Sequence, residues 1–570
     1  MFSDHKTLHG PADERQSGWL LLLLALVVLG AGIGLRDPWP ADEPRFALIA
    51  KQMVESGQWL FPFRGGEVYP DKPPLFMWAI ALFYQLTGSL RIAFLLPSLL
   101  AGLGTLGLVY DIARRLWDRK TAFRAGLLLL FTVQFTLQAK TAQIDALVTG
   151  FITLGLYGFL RFLLCGGGWR WYYLGWFAAG LGIITKGVGI IAALVLIPAL
   201  WTHRAEIRQA SRAAWLKALA GPLAMLLAIA LWLLPMVLAV AASHDATLEA
   251  YRNNILFRQT VTRYANAWHH VKPVWFYLTD VIPPFWLPLS LLIPWLVWLS
   301  KGAIKQGNRT VFLLVGQLLL LLTFFSFSPG KRGVYITPGT IPFVLLAAPW
   351  LPQLLERPWP RRLLQGLGWL ISLLFMALAI AFFLSPKLAE KTAELAGNPW
   401  PLALSLGLLG LLLNWGLRRA PLTATLATLA LVWLHYGLWA YPLLNGVRTP
   451  QGIMAEVSQK VPAEDELLIV KFREQFLLFA DRPIQHWRYQ EQDQVQIEQS
   501  AAWIQAAPQR WLLAPARMLD PCFDAARGQA LGLRHGEVWT LYRAEALRPA
   551  CRQAKLESQP FRYLPQHGYQ

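Results

Sequence analysis

Apolar residues run along this chain in long unbroken blocks instead of alternating with polar ones. The block WLLLLLALVVLGAGIGLR meets its first charge only at Arg36. A helix needs about 20 apolar residues to cross roughly 30 Å of hydrocarbon. Blocks of that kind are read at 17–36, 91–111, 123–138, 143–163, 171–185, 187–202, 215–242, 276–299, 310–328, 334–351, 363–385, 400–417 and 421–441. One further stretch, 74–88 (PLFMWAIALFYQLTG), is shorter. After Tyr441 the pattern changes: LLIV (467–470), RWLLAP (510–515) and EVWTLYR (537–543) are strand-length, and 495–506 carries a helical period. The expected architecture is a mainly α, polytopic membrane protein of about thirteen transmembrane helices. It divides into a membrane domain, 1–441, and a small C-terminal periplasmic α/β domain, 442–570.

Charge sets the expected orientation. With 74–88 lying in the interface and the N-terminus cytoplasmic, Lys and Arg fall on every cytoplasmic turn: Arg114, Arg115, Arg119 and Lys120, then Arg161 and Arg170, and so on to Arg418 and Arg419. A spanning 74–88 would turn all these clusters outward. The segments 37–90 and 243–275 then become the long outward loops, and the C-terminus is periplasmic. Of 570 residues 55% are hydrophobic and 15% charged, against about a quarter charged in soluble domains. The net charge of +19 is explained by the cytoplasmic turns, so no nucleic acid partner is expected. The 27 Trp fit interfacial anchoring to the bilayer. No cleavable signal is read, because the first block is too long and lacks a small-residue cleavage site. Cys522 and Cys551 fall in the outward tail, where pairing and two separate thiols are both open.

Outward loops should be poor in cations, so their exceptions carry information. Those exceptions are Arg45, Lys51, Arg64, Lys72, Lys140, Lys186, Arg252, Arg258, Arg263, Lys272, Lys331 and Arg332; several abut apolar blocks on the outer side and call for anionic partners or an external phosphate. Asp42 and Glu43 open the amphipathic stretch DEPRFALIAKQMVESG. There Asp42 reads either as a helix N-cap, with Pro44 in the first turn, or as a catalytic acid. Asp145, after AKTAQI, is either functional or paired with nearby Lys140. Lys186, in IITKGVG, is either a phosphate ligand or a snorkelling span-end lysine. Asp71 and Lys72 lie in YPDKPPL, which the two prolines hold extended. Lys331 and Arg332 form a second candidate phosphate contact or a solvated turn. His269 and His270 read as interfacial packing rather than metal ligands, and no cysteine cluster has metal-ligand spacing.

An acidic pair after the first span, an amphipathic helix, then GEVY and DKPPL resembles the signature of the C-type glycosyltransferase (GT-C) superfamily. Within it, DEPRFALIAKQMVESGQWLFPFRGGEVYPDKPPLFMW (42–78) is similar to the protein O-mannosyltransferase-like branch that includes the lipid A aminoarabinose transferases. TKG (185–187), Asp145 and FSFSPGKRGVYITP (325–338) fall in the family's order. The resemblance implies an enzyme taking a sugar from undecaprenyl phosphate, with inversion, to lipid A or another envelope glycan; a monomer is expected. It implies Asp42, Glu43 and Asp145 as acids of the site. Lys72, Lys186, Arg45, Tyr69, Arg258, Lys331 and Arg332 would bind substrate or phosphate. A divalent metal stays open, with Asp71, His269 and His270 as its candidates. Phe46 stands where the family often has Tyr. The alternatives are transfer to a protein hydroxyl or a polysaccharide, a flippase for the lipid-linked sugar, and a non-catalytic scaffold. Flippases tend to carry internal repeats and midplane charges, which are not seen in this sequence.

Overall fold

The computed structural model describes residues 11–257, 270–489 and 491–569, the side chains of 11–16 excepted. It is mainly helical. Among the described residues, six helices are long and apolar enough to cross a membrane: Leu90–Leu116, Ile144–Leu164, Arg212–Ser243, Arg309–Phe327, Pro358–Leu384 and Pro421–Arg448. Two bent pairs raise the number to eight if each is one span: Arg119–Leu130 with Val133–Ala139, bent by 71°, and Tyr277–Phe285 with Leu289–Lys305, bent by 113°. Other apolar blocks form shorter helices, among them Ser17–Gly30, Gly189–Thr202, Gly333–Ala347 and Trp400–Gly416. The stretch 74–88 forms the 13-residue helix Leu75–Thr87, which packs on the helix Glu43–Ser56.

The C-terminal region builds a six-stranded sheet. A hairpin in the first loop supplies β1 (Phe63–Arg64) and β2 (Glu67–Val68). The sheet strands are β3 (Glu466–Ile469), β4 (Ile484–His486), β5 (Arg510–Pro515), β6 (Gln529–Arg534), β7 (Glu537–Tyr542) and β8 (Phe561–Tyr563), in the order β6-β7-β5-β3-β4-β8. β3 runs parallel to both β4 and β5, and the other pairs are antiparallel. The helix Asp493–Gln505 connects β4 to β5. Cys522 and Cys551 are disulfide-bonded.

The central strands β3 and β5 are nearly continuous apolar runs because both faces are covered. Leu468, Val470, Leu512 and Ala514 pack on Ile497, Ala501 and Ile504 of the connecting helix. Their alternating neighbours Leu467, Ile469, Ile484 and Leu513 share a core with Phe46, Ile49 and Met53 of Glu43–Ser56 and Phe76 and Ile80 of Leu75–Thr87. One hydrophobic core therefore joins the sheet to the first loop. Polar contacts lock the seam. His486 Nε2 donates to the Gly65 carbonyl at 2.6 Å, and Lys51 Nζ reaches the Tyr563 hydroxyl at 3.1 Å and the His567 carbonyl at 2.9 Å. Gly65 has φ +67, and a Cβ there would lie 2.6 Å from His486, so the close fit of hairpin and sheet requires glycine.

Candidate active site

Two ion pairs form the centre of the site. The helices Ile144–Leu164 and Trp169–Lys186 are joined by the turn Cys165–Gly168, which folds them against each other. That places the first turn of one beside the last turn of the other. Gly187, at φ 86, ends the second helix by donating its N–H to the Ile183 carbonyl at 2.7 Å, which leaves Lys186 as the last helical residue. The Lys186 ammonium donates to the Asp145 carboxylate. Each charge also sits at the helix end whose dipole favours it.

Asp42 precedes Glu43–Ser56 with φ −99 and ψ −31, not the extended backbone of an N-cap, and its side chain makes no capping bond. Its Oδ2 instead accepts from Arg332 Nη2 at 2.8 Å, while Arg45 Nη1 lies 3.6 Å from Oδ1. Burial alone would raise the Asp42 carboxyl. Arg332, Arg45 and Lys186 together outweigh it and hold the group below the ordinary carboxylate range, so Asp42 is ionised at neutral pH. At Arg332 burial acts downward, and Asp42, then Asp145 and Tyr335, raise it. The two pairs thus feel each other's field. Lys186 Nζ also lies 4.4 Å from the Tyr335 ring centroid. Asp42, Arg332, Asp145 and Lys186 form one quartet with Tyr335 beside it.

Arg45 ties this quartet to the C-terminal sheet. Its Nε donates to Glu474 Oε1 at 2.8 Å and its Nη2 to the Tyr489 hydroxyl at 3.3 Å. With Nη1 near Asp42, all three nitrogens face protein partners, so the side chain acts as a strut. Tyr69 is buried beneath it, 5.9 Å from the guanidinium carbon to the ring centroid, and burial pushes its hydroxyl above the usual tyrosine value. Asp71 and Lys72 follow, half-buried, before Leu75–Thr87.

Glu43 faces away from Asp42. Its carboxylate takes both ends of the buried Arg36 guanidinium, the closer through Arg36 Nη1 and the other at 2.7 Å through Nη2. It also accepts the backbone N–H of Trp39 at 2.8 Å and of Ala142 at 2.9 Å. Arg36 was not among the sequence candidates. Glu43→Ala leaves its charge buried and unpaired, a situation that costs about 3–5 kcal/mol. A large loss of thermal stability in detergent is therefore expected; an unshifted melting temperature would contradict this reading.

Three other expectations resolve differently. Lys140 is not the partner of Asp145: its ammonium caps the first helix, donating to the carbonyls of Val28 at 2.9 Å and Ala31 at 2.7 Å. Lys331 turns away from its neighbour Arg332 and donates to the Lys272 carbonyl at 2.8 Å. His270 is exposed, and its carbonyl accepts the Lys331 N–H at 2.9 Å. Arg258 and His269 lie outside the described residues. Among the described residues no three His, Cys, Asp or Glu side chains converge as metal ligands.

A family profile described as dolichyl-phosphate-mannose-protein mannosyltransferase matches residues 71–232. Undecaprenyl phosphate-α-4-amino-4-deoxy-L-arabinose arabinosyl transferase of Pseudomonas paraeruginosa is 32% identical over 475 residues, covering 80% of this chain and 82% of that protein. The chain belongs to this arabinosyl transferase family. The transferase of the same name from Pseudomonas aeruginosa (strain UCBPP-PA14) is likewise 32% identical over 475 residues. The arabinosyl transferase fold is also seen in the crystal structure of ArnT from Cupriavidus metallidurans bound to undecaprenyl phosphate. The TM-score is 0.70 at 20% identity, covering 94% of this chain and 99% of that one. As a member of the arabinosyl transferase family the chain is a membrane glycosyltransferase.

Proposed function

We propose that the chain transfers 4-amino-4-deoxy-L-arabinose from undecaprenyl phosphate to a phosphate of lipid A, at the periplasmic face of a bacterial inner membrane. The family relatives carry the donor chemistry in their name. The observation that carries the reading in this chain is the quartet, with two cations and two acids meeting where the first loop touches the ends of the helices. In the proposed topology thirteen helices cross the membrane, the N-terminus is cytoplasmic and the C-terminal region, 442–570, is periplasmic. The chain acts as a monomer.

The chemistry follows from the charges. An oxygen of the acceptor attacks the anomeric carbon as the bond from that carbon to the donor phosphate oxygen breaks, inverting the centre. Undecaprenyl phosphate leaves with an added negative charge. Fixed cations stabilise the transition state most where such charge develops. Lys186 and Arg332 take that role, with Lys72 reaching the same phosphate from the first loop. Asp145 holds Lys186 in place until the donor arrives. A lipid A phosphate is already ionised, so Asp42 has no proton to remove: it fixes the Arg332 guanidinium so that its remaining N–H groups point at phosphate. With a hydroxyl acceptor, as in the protein or polysaccharide alternative, Asp42 would be the general base.

The test is mass spectrometry of lipid A from a strain lacking this chain, with and without a plasmid supplying it. The expected result is an aminoarabinose-sized mass on lipid A only in the complemented strain. Identical lipid A in both strains would remove this acceptor and direct the search to glycoproteins and polysaccharides.

A further inference from the structure

Arg332 lies in the loop between the helix Arg309–Phe327 and the 3₁₀ turn Gly333–Gly339. A cation on a loop keeps its place only if its backbone is held. The tip of Arg332 is fixed by Asp42. Its root is fixed by the two bent helix pairs.

Those pairs meet at their bends. A break in a helix frees backbone donors and acceptors, which an apolar interior cannot leave unpaired. The Val133 N–H, at the first break, donates to the Leu287 carbonyl, at the second, at 3.1 Å. Beside that bond the Trp286 indole N–H donates to Gln134 Oε1 at 2.6 Å. Both residues are buried, Gln134 at 3% exposure and Trp286 at 1%. An indole only donates, so it sets the amide with its oxygen toward Trp286 and its NH₂ away. That NH₂ donates to the Gly333 carbonyl at 2.7 Å. The carbonyl of Arg332 itself accepts from the Tyr277 hydroxyl at 3.4 Å. Side chains from both bent pairs thus hold the two carbonyls that follow the Arg332 side chain.

Burying an amide among apolar side chains is unfavourable unless its arms are bonded. Here one arm orients the group and the other holds the residue next to Arg332. We propose that Gln134 is a positioning residue for the transfer: oriented by Trp286, it holds the Gly333 carbonyl and so fixes the Arg332 guanidinium against the donor phosphate. The role rests on Arg332 meeting that phosphate.

Full-length protein is purified in detergent, stripped of lipid and titrated with undecaprenyl phosphate, with melting temperature and transfer to lipid A measured beside the affinity. Methionine keeps roughly the volume of glutamine without its hydrogen bonds. Gln134→Met is expected to weaken undecaprenyl phosphate about tenfold, on the order of one hydrogen bond. Arg332→Gln, whose amide still offers Asp42 a donor, is expected to weaken it at least about thirtyfold. The double variant is expected to bind no more than about twofold weaker than Arg332→Gln, because Gln134 acts through that guanidinium. Should Gln134→Met fail to fold, Trp286→Phe removes the orienting N–H alone and is expected to cost about threefold, again with nothing further in the Arg332→Gln background. Lost stability is controlled by Asn414→Ala, which opens a buried hydrogen-bond cluster with Ser372 and Thr428 on helices that carry no member of the quartet. Its melting temperature is expected to fall and its affinity to stay; a loss of affinity equal to that of Gln134→Met would overturn the positioning role. Wild-type affinity in Gln134→Met, beside a loss in Arg332→Gln, overturns it and leaves the role of Arg332 intact. A further tenfold loss in the double variant also overturns it, since Gln134 would then act by another route. Wild-type affinity in Arg332→Gln removes the phosphate role of Arg332 and this one with it. Absence of transfer to lipid A by the wild type bears on the acceptor alone, and the affinities still decide the role of Gln134.

Discussion

Asp42→Ala is expected to lower the turnover of the purified enzyme by about 10²–10⁴-fold, the range for removing a positioned acid–base or electrostatic group. The variant should fold, because the Asp42 side chain caps no helix and is replaced without leaving a fully buried charge: Arg332 is about one-third exposed. Asp42→Asn separates two roles. If the acceptor is a phosphate, asparagine still offers an oxygen to Arg332 and should recover roughly tenfold over alanine, about one hydrogen bond's worth. If the acceptor is a hydroxyl, asparagine cannot take its proton and should be as inactive as alanine. The pH dependence has a definite sign. The folded carboxyl is held below its ordinary value, so the ionised form and its pairing persist as pH falls through the usual carboxylate range. That contribution is lost only as pH falls through the depressed value, so Asp42 adds no acid limb to the profile near neutrality. Steady-state kinetics with kcat and KM resolved, beside a thermal melt, check all of this. An alanine variant with unchanged kcat would reduce Asp42 to a surface ion pair.

Lys186→Met is the second large effect, expected to cost about 10²–10³-fold in kcat, as loss of one preorganised charge at a transition state does. The single substitution leaves Asp145, 5% exposed, without its cation, so part of any loss could be structural. The double variant Lys186→Met with Asp145→Asn separates the two causes. Neutralising both partners of a buried pair is far milder than breaking it. If Lys186 serves only to neutralise Asp145, the double variant regains both melting temperature and turnover. If Lys186 meets the leaving phosphate, the melting temperature returns and the turnover does not. Lys186→Arg is expected to rescue only in part, because a planar fork does not reproduce a compact ammonium beside Tyr335.

Much of this site was legible in the chain, for reasons that differ by residue. Asp42, Asp145, Lys186 and Arg332 stood out because each is a charge beside an apolar block on the expected outer side, where charge needs a partner. The strands β3, β5 and β7 were legible because short apolar runs bounded by polar residues have few other uses. Partner choice was not legible. Lys140 is five residues from Asp145 and Lys186 is forty-one, yet the helical hairpin, not sequence distance, decides which one pairs. Glu43 adjoins Asp42, but successive helical residues point about 100° apart, so one meets Arg332 and the other Arg36. Arg36 read as the charged end of a span. Glu474 carried no local signal at all, since its significance lies in an arginine 429 residues earlier. The sharing of one core between the sheet and the first loop is of the same kind: the unbroken apolar run of β3 shows that both faces are buried, not against what.

The seam between first loop and last sheet has a consequence for how the protein comes into being. Asp42 meets its cation 290 residues later in the chain, and Arg45 its anchor 429 residues later. At about 5–20 residues per second of synthesis, the loop waits in the membrane for tens of seconds before either contact exists. During that interval the growing chain already holds most of its spans but not a formed quartet. A chain that ends between Arg332 and the sheet holds all four members of the quartet but lacks Glu474 and Tyr489, the partners that fix Arg45, so the strut beside the quartet is the last part of the site to form.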